Sequence, residues 1–150
     1  MPFTRNDVRY YAGFFDGEGS ISLIRRNVPT TRRGYRYFVQ VSIGQVSKEI
    51  LEPLRVQFGG SWSYRESRTL PNAKPVWNLR WWGLRSTTIL KALLPYLRLK
   101  KHRAELAIEA RQILSSHRGG RGHRRYEERY LLRLEEIYME MKYLNKKGRR

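Results

Sequence analysis

The first part of the chain predicts a helix followed by a hairpin. Thr4 or Asn6 can cap a helix through residues 7–19, and the glycine at its end is placed to stop it. Residues 20–26 and 35–45 then alternate between apolar and polar positions on either side of a loop rich in turn-forming residues. Two alternating runs joined by a turn predict an antiparallel pair with one face on a core.

The same order of elements then occurs a second time. Residues 48–58 predict a second helix closed by Gly59, although Pro53 within it favours a kink or a shortened start. Residues 61–67 and 75–83 predict a second hairpin around a turn that contains proline and asparagine.

Helices fill the remainder of the chain. Residues 84–101 predict a third helix that ends near Pro95, and residues 102–116 predict a fourth. A last helix follows from apolar residues at three- and four-residue spacing, at positions 126, 130, 134, 137, 141 and 144. We expect residues 145–150 to form a frayed tail. At this length the chain is most simply one α+β domain spanning residues 1–150.

The alternation divides each predicted strand into two faces. Tyr37, Trp77 and Trp81 share their faces with aliphatic neighbours, so we expect these rings to pack in the core. The opposite positions carry side chains that we expect to contact base edges or phosphates of a nucleic acid. These outward positions are Ser20, Ser22, Arg26, Arg36, Phe38, Gln40, Ser42, Asn78 and Arg80.

The charge balance indicates a polyanion as the partner. The chain has 31 Lys and Arg residues against 13 Asp and Glu residues, a net charge of +18 at pH 7. The excess is spread along the whole chain, which argues against a simple basic tail, and the 40% hydrophobic content argues against disorder. Solubility or membrane-surface binding would not need so large an excess. We therefore expect the protein to bind nucleic acid.

The composition also bears on the compartment. The chain has no cysteine, which excludes disulfides and thiolate metal sites, and its apolar runs are too short to cross a bilayer. The first residues, MPFTRNDVRYY, contain no apolar signal-peptide region. We expect an intracellular protein without a targeting signal, in a prokaryotic cytoplasm or encoded within an organelle. We expect no membrane partner and no small-molecule substrate.

The first predicted helix ends on an unusual combination of acids and glycines, YYAGFFDGEGS. Asp16 and Glu18 place negative charge where the helix dipole favours cations, so something must compensate. Ala12, Gly13 and Gly17 leave one helix face almost without side chains, and such a face allows two helix backbones to approach closely. One such helix per chain implies a two-fold homodimer.

Two-fold symmetry would bring the two copies of Glu18 together at the base of the helix pair. Paired carboxylates at two helix C-termini repel each other unless divalent cations neutralise them. Oxygen donors without a nearby histidine or cysteine favour Mg²⁺ over Zn²⁺, and Mn²⁺ or Ca²⁺ can occupy such a site. The alternative interpretation of Glu18 is a solvated acid at the end of an ordinary amphipathic helix.

Three stretches of the chain resemble a known protein family. YAGFFDGEG (residues 11–19) resembles the nine-residue motif that names the LAGLIDADG homing endonucleases, and LLPYLRLKKHRAELA (93–107) and LNKKGRR (144–150) resemble stretches of single-motif members. The resemblance covers nearly the whole chain. Tyr11 stands where the family usually has leucine, and Glu18 stands where aspartate is common, although glutamate still supplies a carboxylate.

The resemblance implies an αββαββα fold, with additional C-terminal helices, whose curved antiparallel sheet lies along the major groove of double-stranded DNA. It implies an endonuclease that hydrolyses both strands of a long pseudo-palindromic site and so promotes mobility of its host intron or intein. Within the active site, Glu18 and Gly17 would hold the metal, Gln45 would organise water, and Lys100 would meet charge on the phosphate or polarise the attacking water. The alternative interpretations are a solvated lysine and a glutamine that only ends its strand. We place the dimer interface on Ala12, Gly13, Asp16 and Gly17.

Two other classes of function stay open on the sequence. A protein of the same fold that has lost cleavage could act as an intron maturase or a transcription regulator, although intact Glu18 and Lys100 favour the enzyme. A ribosomal or RNA-chaperone protein would explain the charge but not the acidic motif.

Overall fold

A computed structural model describes residues 3–31, 33–66, 69–116 and 128–147, and its fold is α+β. Within these residues, five α-helices and a four-stranded antiparallel sheet follow one another in the order αββαββααα, which confirms the predicted fold class. The helices are α1 (Arg5–Glu18), α2 (Glu52–Phe58), α3 (Gly83–Leu93), α4 (Lys101–Ser116) and α5 (Glu128–Lys147). The strands are β1 (Gly19–Asn27), β2 (Tyr35–Gln45), β3 (Ser61–Arg65) and β4 (Val76–Trp82).

Local signals set both ends of α1. Thr4 and Asp7 form a capping box, in which the Thr4 hydroxyl accepts from the Asp7 N–H at 3.1 Å and the Asp7 carboxylate accepts from the Thr4 N–H at 2.8 Å. At the other end, the Gly19 N–H donates to the Phe15 carbonyl, and the chain continues directly into β1. The helix therefore begins after Thr4, one of the two predicted caps, and ends at Glu18, one residue before the predicted end.

The second helix, α2, starts later than its apolar pattern predicts. A single 3-10 turn, Glu49–Leu51, precedes α2, and Pro53 lies in the first helical turn, where its missing N–H is not needed. The shortened start is therefore confirmed. The same turn receives a contact from α1, because the buried Tyr11 donates its hydroxyl to the Ile50 carbonyl at 2.7 Å.

The sheet has the strand order β1–β2–β4–β3, and every neighbouring pair is antiparallel. Burial alternates along β1 and β2, so one face is buried against the helices (the inner face) and the other is more exposed (the outer face). Trp77 is half-buried beside β3, with its ring centroid 4.8 Å from that of Tyr64, and is less enclosed than predicted. The buried inner-face residues are Ile21, Leu23, Tyr37, Val39, Val41, Ile43, Leu79 and Trp81.

The predicted apolar spacing of the last helix is confirmed from position 130 onward. Leu134, Ile137 and Met141 are buried on α5. Position 126 and residues 148–150 lie outside the described residues. None of the helices in the described ranges combines the length and the apolar content that a bilayer crossing requires.

Polar contacts hold α5 on the sheet. The Glu135 carboxylate accepts from the Tyr37 hydroxyl and contacts Arg25 Nη1 at 3.2 Å. Burial and the Glu135 carboxylate raise the pKa of Tyr37, which keeps its hydroxyl protonated as a donor. Asn145 Nδ2 donates to the Ile21 carbonyl at 3.0 Å. The prediction that the chain frays from residue 145 is therefore wrong for the described part, because this side chain is bonded to β1 and the helix continues beyond it.

Gly19 lies at a close approach between β1 and α1. A Cβ there would stand 2.5 Å from Cδ2 of the fully buried Phe15 ring. We expect Gly19→Ala to lower the free energy of unfolding by about 1–3 kcal/mol, because the ring or the strand must shift. Urea unfolding measures this change, and Ser20→Ala at the next, exposed position is the control, with less than about 0.5 kcal/mol expected. Equal stability of Gly19→Ala and wild type would contradict the packing.

Candidate functional site

The C-terminal end of α1 presents an exposed acid. Glu18 is the last residue of the helix, and its side chain is exposed. Within the described part of the chain, its carboxylate accepts no hydrogen bond. Next to it, Gly17 is also exposed, and beyond the adjoining residues and the local helix backbone no described atom lies within 4 Å of the position that a Cβ would take. This end of the helix is therefore accessible from outside the chain.

The register of β1 and β2 brings Gln45 to the end of the strands where Glu18 also lies. Gly19, at the start of β1, pairs with Ile43, so Gln45 lies two residues beyond the start of that strand. Gln45 also continues the inner-face positions of β2, on the side where α1 packs. Its Oε1 accepts from the Val46 N–H at 3.0 Å. Glu18 and Gln45, two of the predicted site residues, therefore lie at the same end of the strands and on the same side of the sheet.

Lys100 approaches α1 from the segment between α3 and α4. The residue is only 9% exposed, and its ammonium donates to the Phe15 carbonyl at 3.1 Å and to the Asp16 carbonyl. Burial and the nearby Arg103 guanidinium lower the pKa of Lys100, whereas the carboxylates of Asp16 and Glu18 act in the opposite direction. Lys100 thus lies beside the predicted site, bound to main-chain oxygens of the last turn of α1.

The Asp16 carboxylate is bound within its own chain. Its two oxygens accept from the main-chain N–H groups of Arg98, at 2.7 Å, and Lys100, at 3.0 Å. The structure therefore gives Asp16 a contact between α1 and the segment that leads into α4, which differs from the dimer contact predicted for it. Both oxygens of this carboxylate therefore already take part in a contact within the chain.

Ala12 also differs from its predicted place, because its side chain is fully buried in the core of its own chain. A helical residue turns about 100° from its neighbour, so Gly13 and Gly17 are exposed while Ala12 is not. The exposed Tyr10 and the half-buried Phe14 lie on the same side of α1, and their rings stack with centroids 6.2 Å apart. The exposed face of α1 therefore combines two glycines with two aromatic rings.

The donors at the end of α1 fit a hard divalent cation, but one chain alone supplies few of them. The Glu18 carboxylate and the main-chain carbonyl of Gly17 are oxygen donors of the kind that Mg²⁺ and Ca²⁺ prefer. The structure shows no group of three or more histidine, cysteine or acidic side chains that could hold a metal ion among the described residues. A complete site at this position would need further oxygen donors from outside the chain.

All nine strand residues predicted to face nucleic acid lie on the outer face of the sheet. The register places Ser20, Ser42 and Arg80 in one row near the end of α1. Six residues along β1, Arg26 stands directly opposite Arg36. Like charges at directly opposed positions are unfavourable in a sheet by themselves, and a polyanion on this face would relieve the repulsion.

Two features of the outer face were not predicted from the sequence. The Arg26 guanidinium carbon lies 5.7 Å from the Phe38 ring centroid and 5.1 Å from that of Trp82, so this side chain extends across the sheet. The edge strand β3 adds Ser61 and Arg65 to the outer face, through its register with β4. The alternation of aromatic and polar residues in SWSYR was the signal that could have identified these positions.

No protein-family model and no curated protein matches this sequence, whereas many solved structures share its fold. The homing endonuclease I-CvuI, in complex with the I-CreI DNA target in the presence of Mg, is 20% identical, with a TM-score of 0.73 over 93% of this chain and 82% of its own. The homing endonuclease I-TnaI is 19% identical, with a TM-score of 0.64 over 93% of both chains. The LAGLIDADG meganuclease I-CpaMI, bound to uncleaved DNA, is 18% identical, with a TM-score of 0.66 over 87% of this chain and 42% of its own.

These similarities establish the fold. The chain has the fold of the LAGLIDADG homing endonucleases, and the resemblance found in its first helix is confirmed at this level. Both single-motif and double-motif members of that family have this fold. This chain matches I-TnaI over almost its full length, but it spans less than half of I-CpaMI.

Proposed function

We propose that the protein is a site-specific DNA endonuclease that, as a homodimer, hydrolyses both strands of a long pseudo-palindromic site with Mg²⁺. The observation that carries this proposal is the exposed Glu18 carboxylate at the end of a glycine-faced helix, at the edge of a sheet with a basic outer face. Such cleavage would promote mobility of the host intron or intein. It would take place inside the cell, in a prokaryotic cytoplasm or within the organelle that encodes the protein.

The outer face supports double-stranded DNA as the substrate. Its arginines at positions 26, 36 and 80, together with the net charge of +18, suit a phosphate backbone. Gln40 lies between the rows that hold these arginines and Asn78 lies beyond Arg80, and both side chains can hydrogen-bond base edges in a major groove. Solved proteins with this fold, I-CvuI and I-CpaMI among them, are bound to DNA, which gives further support.

The exposed face of α1 supports the homodimer. Gly13 and Gly17 lie one turn apart, and beyond the adjoining residues and the local backbone of α1, a Cβ at either position would meet no atom of the described chain within 4 Å. A second copy of α1 could therefore approach this face closely, with Tyr10 and Phe14 beside the contact. A two-fold axis through the contact would place both copies of Glu18 at one end of the helix pair.

Each predicted site residue then has a chemical role. Glu18 and the Gly17 carbonyl would hold Mg²⁺ together with their counterparts in the second copy. The bound cation would supply Lewis-acid stabilisation of the phosphoryl oxygens. Gln45, at the same edge of the sheet, would orient the attacking water through its amide, and Lys100 would provide positive charge beside the acid.

We expect Glu18→Gln to lower the single-turnover cleavage rate in Mg²⁺ by about 100-fold or more, because the amide is a poor metal ligand. DNA affinity should stay near wild type, since phosphate contacts on the outer face supply the binding. Rapid-quench cleavage and filter binding on the same DNA measure the two effects. Glu128→Gln, which removes an exposed carboxylate at the start of α5, is the control and should cleave normally. Cleavage by Glu18→Gln at the wild-type rate would refute the metal-ligand role.

Gly13→Leu should convert the dimer into monomers, because the added side chain would separate the two α1 backbones. The fold should survive, since a Cβ at this position would meet no atom of the described chain within 4 Å beyond the adjoining residues and the local helix backbone. Sedimentation velocity measures the association state, and circular dichroism checks the fold. Gln112→Leu adds an apolar side chain at an exposed position of α4 and should remain dimeric. A wild-type monomer that makes double-strand breaks would contradict the dimer.

Arg80→Ala and Arg36→Ala should relax sequence preference at two different base pairs, by about 1–3 kcal/mol each if the contacts are bidentate to guanine. The rows that hold these residues are six positions apart along β1, or about 20 Å. The affected base pairs should thus be about six steps apart, with that of Arg80 nearer the cleavage point. Selection from a randomised DNA library measures this, and Arg55→Ala on α2 is the control. A uniform loss at all sequences would instead indicate phosphate contacts.

A further inference from the structure

The end of α1 and the start of α4 cap each other. The Lys100 carbonyl accepts from the Ala104 N–H at 2.9 Å, so Lys100 directly precedes the first turn of α4. The main-chain N–H groups of Lys100 and Arg98 donate to the Asp16 carboxylate, which places an anion at the positive end of α4. The Lys100 ammonium donates to the Phe15 and Asp16 carbonyls, which places a cation at the negative end of α1. We call these contacts the reciprocal cap.

α1 depends on Lys100 because its own sequence provides no replacement. The last turn of the helix contains no basic residue. The Phe15 carbonyl has a second donor in the Gly19 N–H, but Ser20, which would bond the Asp16 carbonyl in a longer helix, already belongs to β1. The ammonium therefore compensates both the helix dipole and an otherwise uncapped carbonyl.

The ammonium has little capacity left for a phosphate. It has three N–H donors, two of which are engaged with main-chain carbonyls, and the residue is 9% exposed. Only the third N–H is left for a phosphoryl oxygen, and the two main-chain contacts hold the ammonium against the last turn of α1. The described contacts thus hold the Lys100 ammonium on α1, the helix that carries Glu18.

We propose that Lys100 and Asp16 are positioning residues, which hold the last turn of α1 so that Glu18 and the Gly17 carbonyl face the metal, and that Lys100 does not touch the scissile phosphate. This inference rests on the proposed function of Glu18. Asp16 and Glu18 then have different tasks in one motif: the first is bound inside the chain, and the second is exposed. Residues that orient metal ligands typically affect metal affinity by 10–100-fold.

The test separates metal affinity from the rate with metal saturated. Single-turnover cleavage is measured across Mg²⁺ concentrations for Lys100→Met, which keeps the apolar stem and removes the charge. We expect the half-saturating Mg²⁺ concentration to rise about tenfold or more, while the rate at saturation stays within about threefold of wild type. Lys101→Met removes the neighbouring, exposed ammonium and is the matched control, with no change expected in either quantity. A saturated rate about 100-fold lower, with unchanged Mg²⁺ dependence, would overturn the inference and assign the ammonium to the phosphate.

Amide hydrogen exchange of the protein without DNA or metal tests the reciprocal cap independently of cleavage. In Asp16→Asn, the N–H groups of Arg98 and Lys100 should exchange about tenfold faster than in wild type, because an amide oxygen is a weaker acceptor than a carboxylate. Asp16→Asn should also raise the half-saturating Mg²⁺ concentration, which keeps the inference testable if Lys100→Met fails to fold. Unchanged exchange at both N–H groups would overturn it. If the wild-type protein cleaves no DNA, the proposed function fails and the positioning role with it, whereas exchange still decides whether the cap exists.

Discussion

The structure depends on how α1 ends. The helix must stop at a glycine that abuts a buried ring, pass directly into β1 and still carry acids at its negative pole. The buried Lys100, from the segment before α4, makes this possible because its ammonium donates to the carbonyls of Phe15 and Asp16. In return, the Asp16 carboxylate accepts from main-chain N–H groups at the start of α4. Two oppositely charged side chains, each bonded to main-chain groups of the other segment, therefore join the first helix to the start of α4.

The two faces of the sheet have different functions: one allows the chain to fold, and the other carries part of its large positive charge. Its inner face is apolar and packs on the helices, and its outer face holds arginines that repel one another, as at positions 26 and 36. Burial of the inner face stabilises the sheet enough to tolerate that repulsion. Aromatic rings share the outer face with these charges, and the contact of Arg26 with Trp82 and Phe38 spreads one guanidinium over two strands.

The described part of one chain supplies only some of the ligands that the candidate metal site needs. Glu18 is exposed and accepts no hydrogen bond in the described part of the chain, and the described residues contain no larger cluster of ligating side chains. Such an acid is stable in solvent and is accessible from outside the chain. Tyr11 adds a constraint of another kind, because its hydroxyl ties α1 to the turn before α2 and so fixes the orientation of the helix that presents Glu18.

Local patterns in the sequence determined the order of the elements, the two faces of each strand and the end of α1, because caps, glycines and alternation act over a few residues. They also singled out the acids at the end of α1, whereas the family resemblance singled out Gln45 and Lys100. That these residues lie near one another depends on the register of β1 and β2 and on the path of the chain before α4. Three matters were decided by tertiary structure alone. Ala12 turns into the core although it belongs to a small-residue motif, Asp16 is bound to N–H groups more than eighty residues away, and Asn145 holds a helix end expected to fray. The reason is physical: which side of a helix is buried, and which distant donor meets a carboxylate or a carbonyl, is set by packing between elements, and residue spacing along one element does not specify it.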